Sequence, residues 1–333
     1  MRQDMEKMVE AKYYEKKENY LQCLLCPHYC KIQPGKTGIC RARKNEDGKL
    51  WVLNYGRTTS IAMDPIEKKP LYHFYPGSSI LSIACNNCNM QCPFCQNWEI
   101  SQMEVQTEYI SPEILLKIYL DHPSLGVAYT YTEPLVWFEY LLDATKIIRE
   151  NNGKNVLVTN GLINEEPLLE LIPLIDAMNI DLKSINPIVY KKKLGGDLDA
   201  VKRTIEISHQ SVFIEITNLI VTGLNDSEEE IDALIDYVAG IDRNIPLHFS
   251  RYYPNYKYNK PPTPIETLQN AYRRARKKLN YVYLGNVPGE EGSNTCCPNC
   301  GNLLIERLYF RSLIKGLKDS RCEKCGEKIN IIR

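Results

Sequence analysis

Ser79-Ile80-Leu81-Ser82-Ile83-Ala84 runs directly into Cys85-Asn86-Asn87-Cys88-Asn89-Met90-Gln91-Cys92-Pro93-Phe94-Cys95, and the reading of this chain turns on that stretch. The first part is a short apolar run of strand length. The second puts Cys88, Cys92 and Cys95 on one loop at C-x3-C-x2-C spacing, with Phe94 just before the third thiol. Three thiolates are one too few for a closed structural zinc site. A [4Fe–4S] cluster ordinarily takes four cysteines, so a loop of three leaves one iron free for another ligand. Cys85 is also near, but a fourth thiolate would close that iron. It is therefore read as a small buried residue at a strand end. A zinc knuckle or inert buried thiols is the plainer alternative, and it lacks the fourth protein ligand.

Working outward, short apolar runs alternate with helical patterns. Strands are expected at 79–84, 127–131, 155–160, 177–182, 212–221, 246–250 and 281–284. Ser111-Pro112-Glu113 reads as a helix start, with an N-cap serine, proline at the first helical position and an apolar face of Leu115, Ile118 and Tyr119. Further helices are expected at 135–148 and 165–175, and one from beyond 182 to about 209. Capping boxes at Ser227 and Thr263 should open helices reaching 238 and 279. Strands joined by helices imply an α/β fold with a mostly parallel sheet and right-handed crossings. Curled into a partial (β/α) barrel, such a sheet sets its ligand groups at the strands' carboxyl ends, where the cysteine loop lies. A flat doubly wound sheet has the same periodicity.

Two more cysteine blocks flank this core. Cys23, Cys26, Cys30 and Cys40 follow C-x2-C-x3-C-x9-C spacing, with Pro34-Gly35 and Gly38 supplying the turn. Four thiolates would close this site around either zinc or a second [4Fe–4S] cluster, and spacing does not separate the two. Cys297-Pro298-Asn299-Cys300-Gly301 and Cys322-Glu323-Lys324-Cys325-Gly326 are paired C-x2-C-G knuckles, the pattern of a zinc ribbon with a hairpin in the gap. The expected division is 1–75 for the amino-terminal segment with its four-cysteine site, 76–288 for the barrel and 289–333 for the zinc-ribbon-like segment. Lysine plus arginine equals aspartate plus glutamate at 41 each, which implies no strong nucleic-acid field and leaves room only for local basic patches. No apolar run reaches membrane-spanning length, and residues 1–7 lack the apolar core of a signal peptide. A cytoplasmic protein without membrane attachment is expected, its clustered cysteines serving metals rather than disulfides.

The cysteine loop followed by strand–helix units resembles the radical S-adenosylmethionine superfamily. Cys23 to Cys30, Pro34 to Cys40, Asp64-Pro-Ile-Glu-Lys-Lys-Pro-Leu-Tyr-His-Phe74 and Cys95-Gln-Asn-Trp98 are similar to the AmmeMemoRadiSam system radical SAM enzymes, relatives of the pyruvate formate-lyase activating enzyme. The likeness continues through Tyr129-Thr-Tyr-Thr-Glu-Pro134 and Asn179-Ile-Asp-Leu-Lys183. It implies that Cys88, Cys92 and Cys95 hold a catalytic [4Fe–4S] cluster and that Phe94 lies beside the cofactor's adenine. Tyr131-Thr132-Glu133 stands where the family's Gly-Gly-Glu motif binds the methionine ammonium, with both glycines replaced. Asn87 replaces another usual glycine, in a turn that asparagine tolerates. Asn160, Asp181, Lys183 and His248 are the remaining implied cofactor contacts. The plainer readings are a helix-start carboxylate for Glu133, a polar turn for Asn160, a strand-end ion pair for Asp181 and Lys183, and a structural histidine for His248.

The reaction implied is reductive cleavage of S-adenosylmethionine to a 5′-deoxyadenosyl radical, which abstracts hydrogen from a substrate. An electron donor such as ferredoxin or flavodoxin is implied. The substrate is either a protein, as for an activating enzyme, or a small molecule handled with the AmmeMemoRadiSam sister proteins. The rival from another class is a non-catalytic zinc protein that binds nucleic acid or protein. Its support is the basic run Lys191 to Lys193 and the basic helix face at Arg273, Arg274, Arg276, Lys277 and Lys278.

Overall fold

The computed structural model of the chain describes residues 8–287 and 292–333. The expected boundary at 288/289 and the reading of residues 1–7 lie outside them. The central sheet is built from β1 (Arg57–Pro65), β2 (Ser79–Cys85), β3 (Gly126–Tyr129), β4 (Lys154–Thr159), β5 (Ala177–Asp181), β6 (Phe213–Ile220), β7 (Leu247–Arg251) and β8 (Val282–Gly285). β2 through β8 lie side by side in strict chain order and all run parallel. That order excludes a doubly wound sheet, in which the strand sequence reverses at a switch point. β1 pairs antiparallel with β2 at one edge and carries the short strand Glu108–Tyr109 on its far side. Among the described residues the edges of the sheet do not pair with each other, so the barrel is open. β2 is buried at every position after Ser79, as a strand covered on both faces must be. All seven expected parallel strands are present, within two residues of the expected ends. β1 was not anticipated, because its sequence RTTSIAMDP carries too many polar residues to read as a strand.

The helices α1 (Pro112–Leu120), α2 (Phe138–Glu150), α3 (Glu165–Leu171), α4 (Leu198–His209), α5 (Glu228–Ile241) and α6 (Ile265–Ala275) connect the strands. Ser111 and Ser227 cap α1 and α5 through their hydroxyls, as expected. Thr263 does not cap α6. It is buried and donates its hydroxyl to the Ile220 carbonyl at 2.5 Å, so it ties the helix entry to β6 instead. The single helix expected from beyond 182 to 209 is broken. A short turn at Pro187–Val189 and a widened turn at Tyr190–Leu194 end at Gly195, whose φ of 65° is left-handed, and α4 restarts after the Asp197 cap. The break has a use. The Leu194 carbonyl accepts from Gln91 N at 2.8 Å, and a Cβ on Gly196 would stand 2.7 Å from the Met90 methyl. The cysteine loop is therefore seated in the gap between the two helical pieces.

Two small antiparallel sheets precede the barrel and share its main hydrophobic core. Their firmest tie is the Arg43–Glu139 ion pair at 2.6 Å, buried at both ends and reinforced by Arg43 Nη1 donating to the Val136 carbonyl. The carboxy-terminal strands pack at the opposite end of the sheet from the cysteine loop. His73 Nδ1 meets the Asn330 carbonyl at 2.6 Å, and Ile332 bridges Phe74. Buried Arg307 donates to the Tyr72 carbonyl and to Thr295, and its guanidinium lies 4.3 Å over the Tyr72 ring.

Candidate active site

One cleft opens at the carboxyl ends of the parallel strands. Cys88, Cys92, Phe94 and Cys95 line it from the loop after β2, Tyr131, Thr132 and Glu133 from after β3, and Asn160 from after β4. Asp181 and Lys183 reach it from the end of β5, Thr217 and Leu219 from β6, Ser250 from β7 and Asn286 from beyond β8. Ten of the expected site residues thus meet in one place, although they span about a hundred residues of sequence.

The cysteine loop is shaped by its backbone. Asn87 sits at φ 88°, the left-handed conformation the sequence led one to expect there. Met90 N donates to Cys88 Sγ at 3.3 Å, Asn160 Nδ2 approaches the same sulfur at 3.6 Å, and Ser101 Oγ meets Cys95 Sγ at 3.3 Å. Burial, and then the charge of Glu133, pushes the Cys88 thiol well up, and burial pushes Cys92 up to about 11. Without a metal these groups are thiols, and a bound metal displaces their protons. Cys85 stays off the cleft, with its sulfur against the Thr132 hydroxyl and the Glu133 carbonyl.

Glu133 is 1% exposed and accepts three hydrogen bonds: from Leu135 N at 3.0 Å and Thr159 Oγ1 at 2.6 Å on one oxygen, and from Asn160 N at 2.7 Å on the other. Burial raises its pKa from the ordinary 4.5 to about 7, against those donors and Lys183, which lower it. The carboxylate is thus both a helix-start acceptor and an underused negative charge facing the cleft. Lys183 donates to Asp181 at 2.8 Å; burial opposes its charge, and the adjacent carboxylate outweighs burial and raises its pKa. The Thr217 hydroxyl is buried without a hydrogen-bond partner. Such an orphan in a cleft is a place for a polar ligand atom. Phe94 is 4% exposed and stands edge-on to Tyr258.

Tyr131 stands at φ 66°, a conformation that costs a non-glycine residue roughly 1–2 kcal/mol. Its side chain compensates. The hydroxyl donates to Asp64, and Lys69 lies 4.6 Å over the ring. Asp64 in turn accepts from Lys68 at 2.8 Å and from buried Lys69 at 2.6 Å. In the sequence analysis this pair has no part in the site. The signal was the bulky residue standing in a glycine position, which requires an anchor. Ser250 and Asn286 were also missed, because single polar residues at strand ends carry no pattern.

His248 is not brought to the cleft. It faces the barrel interior, its Nε2 is 2.6 Å from Glu215 Oε2, and Tyr72 meets it edge-on. Glu215 Oε1 accepts from His73 N, so the histidine belongs to a buried network that joins the barrel floor to the carboxy-terminal strands.

Away from the cleft, the four sulfurs of Cys297, Cys300, Cys322 and Cys325 lie within 4.8 Å of one another. Two pairs are 3.6 and 3.7 Å apart, close to the roughly 3.8 Å that four thiolates at about 2.3 Å from a tetrahedral zinc would show. Gly301 and Gly326 hold the left-handed turns of the knuckles.

Residues 82–238 match the model of the Radical SAM superfamily. An uncharacterized protein of Methanocaldococcus jannaschii is 45% identical over 335 residues, covering 98% of this chain and 100% of that one. The pyruvate formate-lyase-activating enzyme of Clostridium pasteurianum is 29% identical over 167 residues, 47% of this chain and 68% of that enzyme. A probable GTP 3′,8-cyclase of Methanococcus vannielii is 28% identical over 211 residues, 60% of this chain and 67% of that protein. Among solved structures, SuiB of Streptococcus suis bound to S-adenosylmethionine shares the fold at a TM-score of 0.50 and 16% identity, covering 65% of this chain and 50% of that one.

Proposed function

The chain belongs to the radical SAM superfamily and is homologous to activating enzymes, and from that premise we propose that its cleft binds a [4Fe–4S] cluster and S-adenosylmethionine to take hydrogen from a substrate. The observation that carries this reading is the convergence of three loop thiols, an undercompensated carboxylate, an ion pair and an orphan hydroxyl, from separate strand ends, on one cleft. Cys88, Cys92 and Cys95 would hold the cluster. Glu133 would take the cofactor's ammonium and Lys183 its carboxylate, with Asp181 near the sulfonium and Phe94 beside the adenine. Bound there, cluster and cofactor supply a one-electron cleavage of the sulfonium that delivers a hydrogen-abstracting carbon radical. The chain's own work is to fix the cofactor's orientation and keep water from the reacting atoms.

Within the superfamily we place the chain with the AmmeMemoRadiSam system enzymes, on the Cys23–Cys40, Asp64–Phe74 and Cys95–Trp98 segments. Activating-enzyme homology favours a protein substrate, such as a glycine backbone. A small molecule shared with the sister proteins is the second version, and deuterium transfer from a candidate into 5′-deoxyadenosine would single it out. The electron donor would be a ferredoxin or flavodoxin, the carboxy-terminal thiols would hold structural zinc, and the working place would be the cytoplasm. No helix among the described residues is long and apolar enough to cross a membrane.

The zinc-binding rival is not favoured. Its basic helix face is partly neutralised by α5: Arg274 pairs with Asp232 and Glu228, and Lys278 with Asp236. The test is anaerobic reconstitution, dithionite reduction and assay of 5′-deoxyadenosine, for the parent and for Cys88→Ala/Cys92→Ala/Cys95→Ala. Product from the parent alone supports the reading. No product and no iron in the 88–95 loop, with zinc in every site, would sink it.

A further inference from the structure

The amino-terminal cysteines differ from the carboxy-terminal ones in a way their spacing did not reveal. Among the described residues, only the carboxy-terminal four bring their sulfurs within 4.8 Å of one another. Cys23, Cys26, Cys30 and Cys40 instead line an enclosed cavity, together with His28, Arg43 and Asn89. A single zinc ion draws four sulfurs to roughly 3.8 Å apart and leaves no room between them. A four-iron cube holds each thiolate on a different iron, so its sulfurs stand farther apart around a central volume.

The cavity wall fits an anionic cluster. Arg43 is 1% exposed, and its Nε–H has no hydrogen-bond partner although its Nη atoms are engaged by Glu139, Val136 and Ala42. Ile39 N donates to Cys30 Sγ at 3.5 Å. Backbone amides of Leu25 and His28 do the same for Cys23 and Cys26. We propose that Cys23, Cys26, Cys30 and Cys40 hold a second [4Fe–4S] cluster, not zinc, and that it relays electrons to the Cys88 site.

The relay rests on the cleft's assignment above and on position. Asn89 lines the tetrad cavity, and its neighbour Cys88 lines the cleft. His28 Nε2 is 2.7 Å from the Asn89 carbonyl, and Asn160 Nδ2 joins Asn89 Oδ1 at 2.9 Å and Cys88 Sγ at 3.6 Å. On the outer side, Tyr29 and Ile39 are 47% and 48% exposed next to Cys30 and Cys40, so the tetrad lies close to the surface. A reduced carrier of the flavodoxin or ferredoxin class would give up one electron to the tetrad cluster and be oxidised by one, and the electron would pass inward.

The experiment is iron and zinc analysis with EPR on the anaerobically reconstituted full chain. The triple variant Cys88→Ala/Cys92→Ala/Cys95→Ala leaves the tetrad untouched. About eight irons are expected in the parent and about four in the variant. The variant's reduced signal should not respond to S-adenosylmethionine, and the parent's should. A variant without iron and with a second zinc overturns the tetrad assignment. Equal iron in both proteins would instead overturn the Cys88 site, so the two failures are distinguishable. For the relay, Cys40→Ser should lower the ratio of flavodoxin-driven to dithionite-driven cleavage by an order of magnitude. An unchanged ratio refutes it.

Discussion

Glu133→Gln tests the electrostatics of the cleft most sharply, because two opposing effects can be sized. The parent carboxyl is protonated in both folded and unfolded chains below pH 4.5. Between there and about 7 the unfolded chain loses its proton while the folded one keeps it, so stability falls as pH rises. The full cost, reached above about 7, is roughly 3 kcal/mol at about 1.4 kcal/mol per pH unit. Glutamine does not titrate. Its amide group must replace one oxygen, and either choice faces an N–H it cannot satisfy: Asn160 N on one side, Leu135 N on the other. That orphaned donor costs about 1–3 kcal/mol at every pH. The variant should therefore be less stable than the parent near pH 5 and close to it near pH 8. Urea unfolding of the anaerobic protein across that range reads the difference directly.

Cofactor binding should show the reverse trend. A ligand ammonium favours the ionised carboxylate, so parent affinity for S-adenosylmethionine should rise from pH 5.5 to 7.5 while the variant's stays level. At the upper end the lost charge-assisted contact, about 1.5–3 kcal/mol, weakens binding about 10- to 100-fold. Calorimetry on reconstituted protein gives both the affinity and the proton released. Parallel stability profiles, or the same pH dependence of binding in both proteins, would refute the reasoning.

Other perturbations probe the supports. Asp64→Asn strands buried Lys69 and frees Tyr131, and the melting temperature should drop by an amount matching about 3–5 kcal/mol. Burial, against Asp64, already lowers Lys69 to about 8, and removing Asp64 lowers it further, so this loss should shrink as pH rises towards about 8, while only the variant's lysine has shed its proton, and level off above it. Thr217→Val removes the orphan hydroxyl; stability should hold or rise, while affinity for S-adenosylmethionine falls by about 0.5–1.5 kcal/mol in a titration. Cys325→Ala should cost about one zinc per chain by metal analysis and lower the unfolding temperature of the carboxy-terminal strands.

The parallel sheet was legible because each strand is a compact apolar run, and strict chain order is what successive right-handed crossings produce. The cysteine loop was legible because thiols are rare and their spacing is read directly. The failures share a cause: they concern residues whose role is set by a partner distant in sequence. The resemblance implied His248 as a cofactor contact, and the structure sets its ring against Glu215 instead of along the cleft lining. Which way the ring turns was decided by Glu215 on the neighbouring strand, and burial of that carboxylate required a donor. Thr263 matched a capping box, yet the Ile220 carbonyl claimed its hydroxyl.

Tyr131 brings these strands together. A glycine there would adopt φ 66° without strain, but it would leave Asp64 and Lys69 to each other. With tyrosine, the roughly 1–2 kcal/mol of backbone strain is offset by a hydrogen bond to an ionised carboxylate and a cation–π contact, worth about 1.5–3 and 0.5–2 kcal/mol. The exchange also ties the strand end that carries Glu133 to the antiparallel edge strand β1, which ends in Asp64-Pro65. The edge strand missed in the sequence and the glycine position filled by an aromatic are therefore one device. Asn97 completes it by donating to the Tyr131 carbonyl at 2.6 Å, so the cysteine loop, the carboxylate and the sheet edge are held in a common frame.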